Sequence, residues 1–166
     1  PALDALIAGD AKIELLATGF KWSEGPVWLD GALVFSDVPN NTAFRWREGD
    51  KTASLFLKPS GSTTGTEGQG SNGLARDARG NLILCQHGDR CVARLEKDGR
   101  FTKLADKFEG KRFNSPNDLC IARDGSIFFT DPPYGLPKGA QPEIPFHGVY
   151  RAGVDGTVTA LIRDIR

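Results

Sequence analysis

The sequence predicts an all-β fold built from repeated four-stranded units, and three observations carry that prediction. From Glu24 onward, short apolar runs of period two, or nearly continuous, alternate with Gly and Asp-Gly signals, as in strands joined by tight turns. The pattern then repeats. The first-hairpin glycines Gly31, Gly80 and Gly125 lie 49 and 45 residues apart, and the later turn glycines Gly49, Gly99 and Gly156 lie 50 and 57 apart. Finally, each unit opens on polar, oxygen-bearing side chains: Glu24, Asn72, and the loop from Asn114 to Asp118.

Taken in order, residues 1 to 23 form a lead-in. It has a mild helical pattern (Leu3, Leu6, Ile7) and a strand-like Ile13 to Ala17, and is expected to cover an edge or close a ring. The first unit, about 24–70, holds Val27 to Leu29, the turn Asp30-Gly31, Ala32 to Asp37, Thr42 to Trp46 and Ala53 to Leu57, then a Gly/Ser/Thr-rich loop. The second, about 71–111, holds Gly73 onward, Asn81 to Cys85, Cys91 to Leu95 and Phe101 to Ala105. The third, about 112–166, holds Leu119 to Ala122, Ile127 to Thr130, Gly148 to Arg151 and Val158 to Ile162, lengthened by an inserted loop from Pro132 to His147.

Four strands per unit at this period is the pattern of β-propeller blades. A four-stranded sheet with two apolar faces cannot bury both alone, so sheets stack around an axis and aim the starts of their innermost strands at one mouth. Three blades fall short of the usual four to eight. The expectation is one partial domain over 1–166, about half a propeller.

Composition excludes other classes. The 166 residues are 39% hydrophobic and 25% charged, which is enough to bury a core. With 21 basic and 21 acidic residues there is no footprint for nucleic acid and no polybasic membrane patch. No apolar run approaches a membrane span. Compartment stays open. Of the three cysteines, Cys85 and Cys91 flank a hairpin tip whose register places Cys91 opposite Gln86 and Cys85 opposite Val92, which disfavours a disulfide between them. All three are expected to be buried thiols. The glycines between Gly61 and Gly73 make no phosphate loop, and no Ser or Cys sits in a nucleophile elbow.

Three stretches together carry a resemblance. They are Glu24-Gly-Pro-Val-Trp28 with Phe35-Ser-Asp37; Ser71-Asn-Gly-Leu74 with Gly80 to His87; and Asn114-Ser-Pro-Asn-Asp118 with Phe129-Thr-Asp-Pro-Pro-Tyr-Gly135. In this order, at this spacing, the sequence resembles the gluconolactonase, senescence-marker-protein and luciferin-regenerating-enzyme family of six-bladed propellers. The resemblance implies a hydrolase of sugar lactones that uses one divalent cation, calcium first and zinc or another metal second. It places Glu24 and Asn117 among the cation's ligands, with Asn114 close by.

The family's further ligands, from later blades, have no counterpart in this chain. The remaining half of a ring, or a second copy, is the partner this implies. Asn72, Arg112, Asn114 and Asp131 are expected substrate contacts, and Asp118 is expected to hydrogen-bond behind Asn117. His87 is a candidate for positioning water or moving a proton, and His147 for a lid. A carboxylate and a neutral amide oxygen suit a hard cation that keeps net positive charge and open positions. A related esterase or organophosphate hydrolase, or a non-catalytic propeller, are the competing readings.

Overall fold

The computed structural model describes residues 2–64 and 69–165. Its strands form three four-stranded antiparallel sheets in which spatial order follows chain order. The first contains β1 (Ser23–Leu29), β2 (Ala32–Asp37), β3 (Thr42–Trp46) and β4 (Ser54–Leu57). The second contains β5 (Ser71–Arg76), β6 (Leu82–Gln86), β7 (Cys91–Leu95) and β8 (Phe101–Ala105). A two-stranded hairpin, β9 (Lys107–Phe108) and β10 (Lys111–Arg112), precedes the third, which contains β11 (Leu119–Ile121), β12 (Ile127–Asp131), β13 (Gly148–Ala152) and β14 (Val158–Ile162). Asp30 and Gly31, with φ of 48° and 72°, form the two-residue turn between β1 and β2, the backbone that matches the twist of paired strands.

The sheets stack because the middle one is apolar on both faces. All of β6 is buried, and period two divides it. Leu82 and Leu84 pack with Leu29, Val34, Ala43 and Leu74 toward the first sheet. Ile83 and Cys85 pack with Val92, Phe113, Phe129, Tyr150 and others toward the third. Phe113, Phe129 and Tyr150 meet with ring centroids 5.0 to 5.4 Å apart. A strand buried on both sides reads as a continuous apolar run, and Leu82-Ile-Leu-Cys85 is one.

Two expectations need correction. Ile13 to Ala17 forms no strand; among its described residues the lead-in holds one helical element, a 3₁₀ turn at Ala2–Ala5, and Ile13 is wholly exposed. What it does is dock an aromatic, Phe20, against Phe35 and Phe44 of the first sheet, with centroids 4.8 and 5.0 Å away. The β9–β10 hairpin is too short to show a period. Cys120 is exposed; Cys85 and Cys91 are buried and unbridged, in the expected register opposite Val92 and Gln86. Among the described residues no helix is long and apolar enough to cross a membrane.

Candidate functional site

The candidate site grows from one local irregularity used three times. In β1 the register jumps between the pairs Glu24–Ser36 and Val27–Val34, so Gly25 and Pro26 stand opposite Phe35 alone. In β5 it jumps between Ser71–Gln86 and Leu74–Leu84, so Asn72 and Gly73 stand opposite Cys85 alone. Ahead of β11, the Asn117 amide donates to the Thr130 carbonyl, and the Thr130 amide donates to the Asp118 carbonyl, so two residues again engage one. A bulge re-aims side chains at a strand end. Each lies at a residue with an oxygen-bearing side chain: Glu24, Asn72, Asn117.

The bulges lie side by side because two of them contain glycine. A Cβ on Gly25 would come within 2.3 Å of the Asn72 carbonyl oxygen, and one on Gly73 within 2.8 Å of the Asn117 carbonyl oxygen. The Gly73 amide donates to that same Asn117 oxygen at 2.7 Å. Between the first two sheets, the Ser36 hydroxyl donates to the Asn72 carbonyl at 2.8 Å and meets the Ser71 hydroxyl at 2.7 Å. Strand starts of three sheets are thus stitched into one rim. Serine spacing gave no hint of this stitch, but a Gly following the polar residue in two copies was a visible signal.

Glu24 is half-buried, and its Oε1 accepts the Trp22 indole N–H at 3.0 Å. Asn72 is 4% exposed. His87, equally buried, has Nε2 3.5 Å from Nδ2 of Asn117. Burial pushes its pKa down to about 4, so the ring is neutral and Nε2 can accept from that amide. That contact uses the Nδ2 of Asn117 and not its side-chain Oδ1. Gly135 closes over the ring: a Cβ there would fall 2.8 Å from His87 Cβ and Cγ.

The other expected site residues stand differently. Asn114 and Asp131 are fully enclosed, and among the described residues Asn114 Oδ1 is a buried oxygen with no hydrogen-bond partner. The two Asp131 oxygens accept the backbone N–H groups of Asn114 and Ser115, both at 2.8 Å, while Asn114 Nδ2 donates to the carbonyls of Asp131 and Phe146. They tie the 113–116 segment to the end of β12. Burial raises the Asp131 pKa to about 6, against the pull of those two N–H groups and of Arg90. Asp118 is exposed and its Oδ1 accepts the Leu119 amide, closing its own turn. Arg112 stands exposed on β10, its guanidinium donating to the Asp89 carbonyl at 3.3 Å. His147 is exposed. Glu143, unnoticed in the sequence, anchors the inserted loop through the Arg112 amide and the Arg90 guanidinium.

The donors at the rim are one carboxylate and amide oxygens, which suits a hard cation rather than a thiophilic one. Among the described residues no group of three or more His, Cys, Asp or Glu is assembled.

Antiparallel meander sheets stacked face to face, with their first strands bulging toward a shared oxygen-lined rim, define a propeller-like all-β protein. The chain belongs to the SMP-30/Gluconolactonase/LRE-like family, whose model matches residues 22–166. It is 39% identical over 167 residues to a gluconolactonase of Zymomonas mobilis, covering 94% of this chain and 47% of that protein. It superimposes on a structural-genomics target provisionally described as a gluconolactonase with a TM-score of 0.81 at 40% identity, covering 94% of this chain and 53% of the other. A Xanthomonas campestris protein described as a gluconolactonase important in glucose secondary metabolic pathways follows, with a TM-score of 0.76, 40% identity, and coverage of 87% and 48%. The chain therefore spans about half the length of these relatives.

Proposed function

We propose that this chain supplies part of the active site of a sugar-lactone hydrolase of gluconolactonase type, acting with one divalent cation, calcium foremost. The observation that carries the reading is the rim itself, where backbone contacts of Gly25 and Gly73 set Glu24, Asn72 and Asn117 on adjoining strand starts. Descriptions of the relatives as gluconolactonases support the substrate class. A cation bound there supplies Lewis acidity toward a lactone carbonyl and an attacking water.

The residues of this chain hold and orient. Glu24 and Asn117 hold the cation through carboxylate and amide oxygens. Neutral His87 fixes the Asn117 amide; covered by Gly135, it positions rather than shuttles protons. Asn72 lines the rim between them. Arg112 and Asp118 stand on the exposed side for an oxygen-rich substrate, while Asn114 and Asp131 keep the loop rigid.

In this reading the three sheets are half of a six-bladed ring. Apolar side chains left exposed on the two end sheets, Trp28 and Leu55 on the first and Leu161 and Ile162 on the third, would pack against further blades. The rest of a longer polypeptide is the natural source of those blades, and with them of the remaining ligands and a general base. The test is hydrolysis of D-glucono-1,5-lactone by the full-length protein with and without chelator. Turnover that stops on chelation and returns with calcium is expected. Chelator-insensitive turnover removes the cation, and absence of turnover on any aldonolactone removes the substrate class.

A further inference from the structure

Two of the sheets use one device to set the start of their first strand. In the first, β2 ends on the buried Asp37. Its Oδ1 accepts the backbone N–H groups of Lys21 and Trp22 at 3.1 and 3.0 Å, and its Oδ2 accepts from Asn40 Nδ2 at 2.6 Å. In the third, β12 ends on Asp131, which takes the N–H groups of Asn114 and Ser115. Glu24 stands two residues beyond Trp22, and Asn117 two beyond Ser115. The second sheet differs: its second strand ends on Gln86, whose Nε2 donates to the Ser60 carbonyl. The carboxylate anchor thus occurs in the two units whose residues are assigned to the cation, ahead of each by the same interval.

In the first unit the anchor holds more than backbone. Trp22 has both main-chain groups fixed, its N–H on Asp37 and its carbonyl accepting the Val38 amide at 3.2 Å. From that fixed point its indole N–H donates to Glu24 Oε1 at 3.0 Å. An indole carries one donor and no acceptor, so the contact needs the carboxylate oxygen as its acceptor. Among the described residues, Glu24 Oε2 takes no hydrogen bond. A free carboxylate turns about its broad last torsion and trades one oxygen for the other. One with Oε1 occupied offers a single open atom in a set direction.

We propose that Trp22 is a positioning residue for the cation: its indole N–H fixes Glu24 through Oε1 and reserves Oε2 as the one ligating oxygen of that carboxylate. This role rests on the cation reading above and adds how the ligand is held. Trp22 touches neither cation nor substrate and acts through Glu24, while Asp37 holds Trp22 in turn.

The test is calcium titration calorimetry of the full-length protein as wild type, Trp22→Phe and Trp46→Phe, each first melted in chelator. Phenylalanine keeps an aromatic ring for packing and removes the N–H. Trp46 is the matched control, since its indole donates to the Asp50 carbonyl at 2.9 Å, at the opposite end of the same sheet from Glu24. Both variants should melt within about 4 °C of wild type. Trp22→Phe is expected to weaken calcium about tenfold, and Trp46→Phe to leave affinity within about twofold of wild type. In isotope-labelled wild type the Trp22 indole N–H resonance should shift as calcium saturates, with the calorimetric Kd, because ligation at Oε2 draws charge from Oε1. That resonance decides the matter should Trp22→Phe fail to fold. Equal calcium affinity in wild type and Trp22→Phe, or an equal loss in Trp46→Phe, overturns the proposal and leaves the cation in place. A resonance unmoved by calcium overturns it too. Trp22-dependent calcium binding without lactone turnover leaves it standing and sinks the hydrolase reading. No calcium binding by wild type removes both the cation and this role.

Discussion

At the scale of single residues, the candidate site depends on what is missing from Gly25 as much as on Glu24. Its φ of 55° lies in the left-handed region, and the Asn72 carbonyl occupies the place a Cβ would take, 2.3 Å away. Gly25→Ala therefore meets two penalties, a left-handed backbone and a backbone–backbone clash between sheets. The expected loss is about 2–4 kcal/mol in urea denaturation, with weaker cation binding because the first bulge is pushed from the second. Gly99→Ala is the matched control. Its φ is 83° but nothing lies within 4 Å of the added Cβ, so it should lose only the backbone part, about 1 kcal/mol. Equal losses would mean that the contact with Asn72 contributes nothing. The motif Glu24-Gly25-Pro26 disclosed a carboxylate on a constrained backbone; the neighbour that requires the glycine lies 47 residues further on and leaves no mark in the local sequence.

At the scale of elements, strands were legible wherever short apolar runs lie between turns that carry glycine. Thr42–Trp46, Cys91–Leu95, Phe101–Ala105 and Val158–Ile162 stand where the pattern put them. Ile13 to Ala17 misled because an apolar run without a partner strand cannot become one, whatever its composition. Asn114 and Asp131 show a different limit. Residue type reveals hydrogen-bonding capacity but not how it is used: here the backbone takes both Asp131 oxygens and Asn114 Nδ2, and only Asn114 Oδ1 is left without a partner.

The burial of Asp131 has a measurable consequence. Its pKa is raised from 3.8 to about 6, so the folded state holds a proton that the unfolded chain gives up. The stabilisation is complete below about pH 3.8 and is lost as pH rises through about 6. Asp131→Asn sets an amide N–H against a backbone N–H and should cost about 2–3 kcal/mol. It also removes the titration, so the stability difference between wild type and variant should shrink by roughly 2–3 kcal/mol from pH 4 to pH 7. A difference that is flat with pH would show that the two backbone donors cancel burial, and one that grows with pH that they outweigh it.

At the scale of the molecule, three sheets are coupled through the rim to which the proposed function assigns the cation's ligands, so cation binding there would be linked to global stability. A ligand that binds only the folded state stabilises it according to its concentration over Kd. Calcium should accordingly raise the melting temperature of the full-length protein, and chelator should reverse the shift. Glu24→Gln keeps the shape of the side chain and its ability to accept from Trp22 while removing the negative charge, so it isolates the ligand role from packing. Its melting temperature in chelator should match wild type, and its calcium affinity should fall at least about tenfold, the order seen when a charge-bearing ligand or its support is lost at a metal site. Asn117→Ala should weaken calcium comparably, whereas Arg112→Ala, on the exposed β10, should leave it unchanged. If Glu24→Gln and Asn117→Ala both bind calcium like wild type, the adjoining strand starts are a packing device only, and any cation of this fold is held elsewhere.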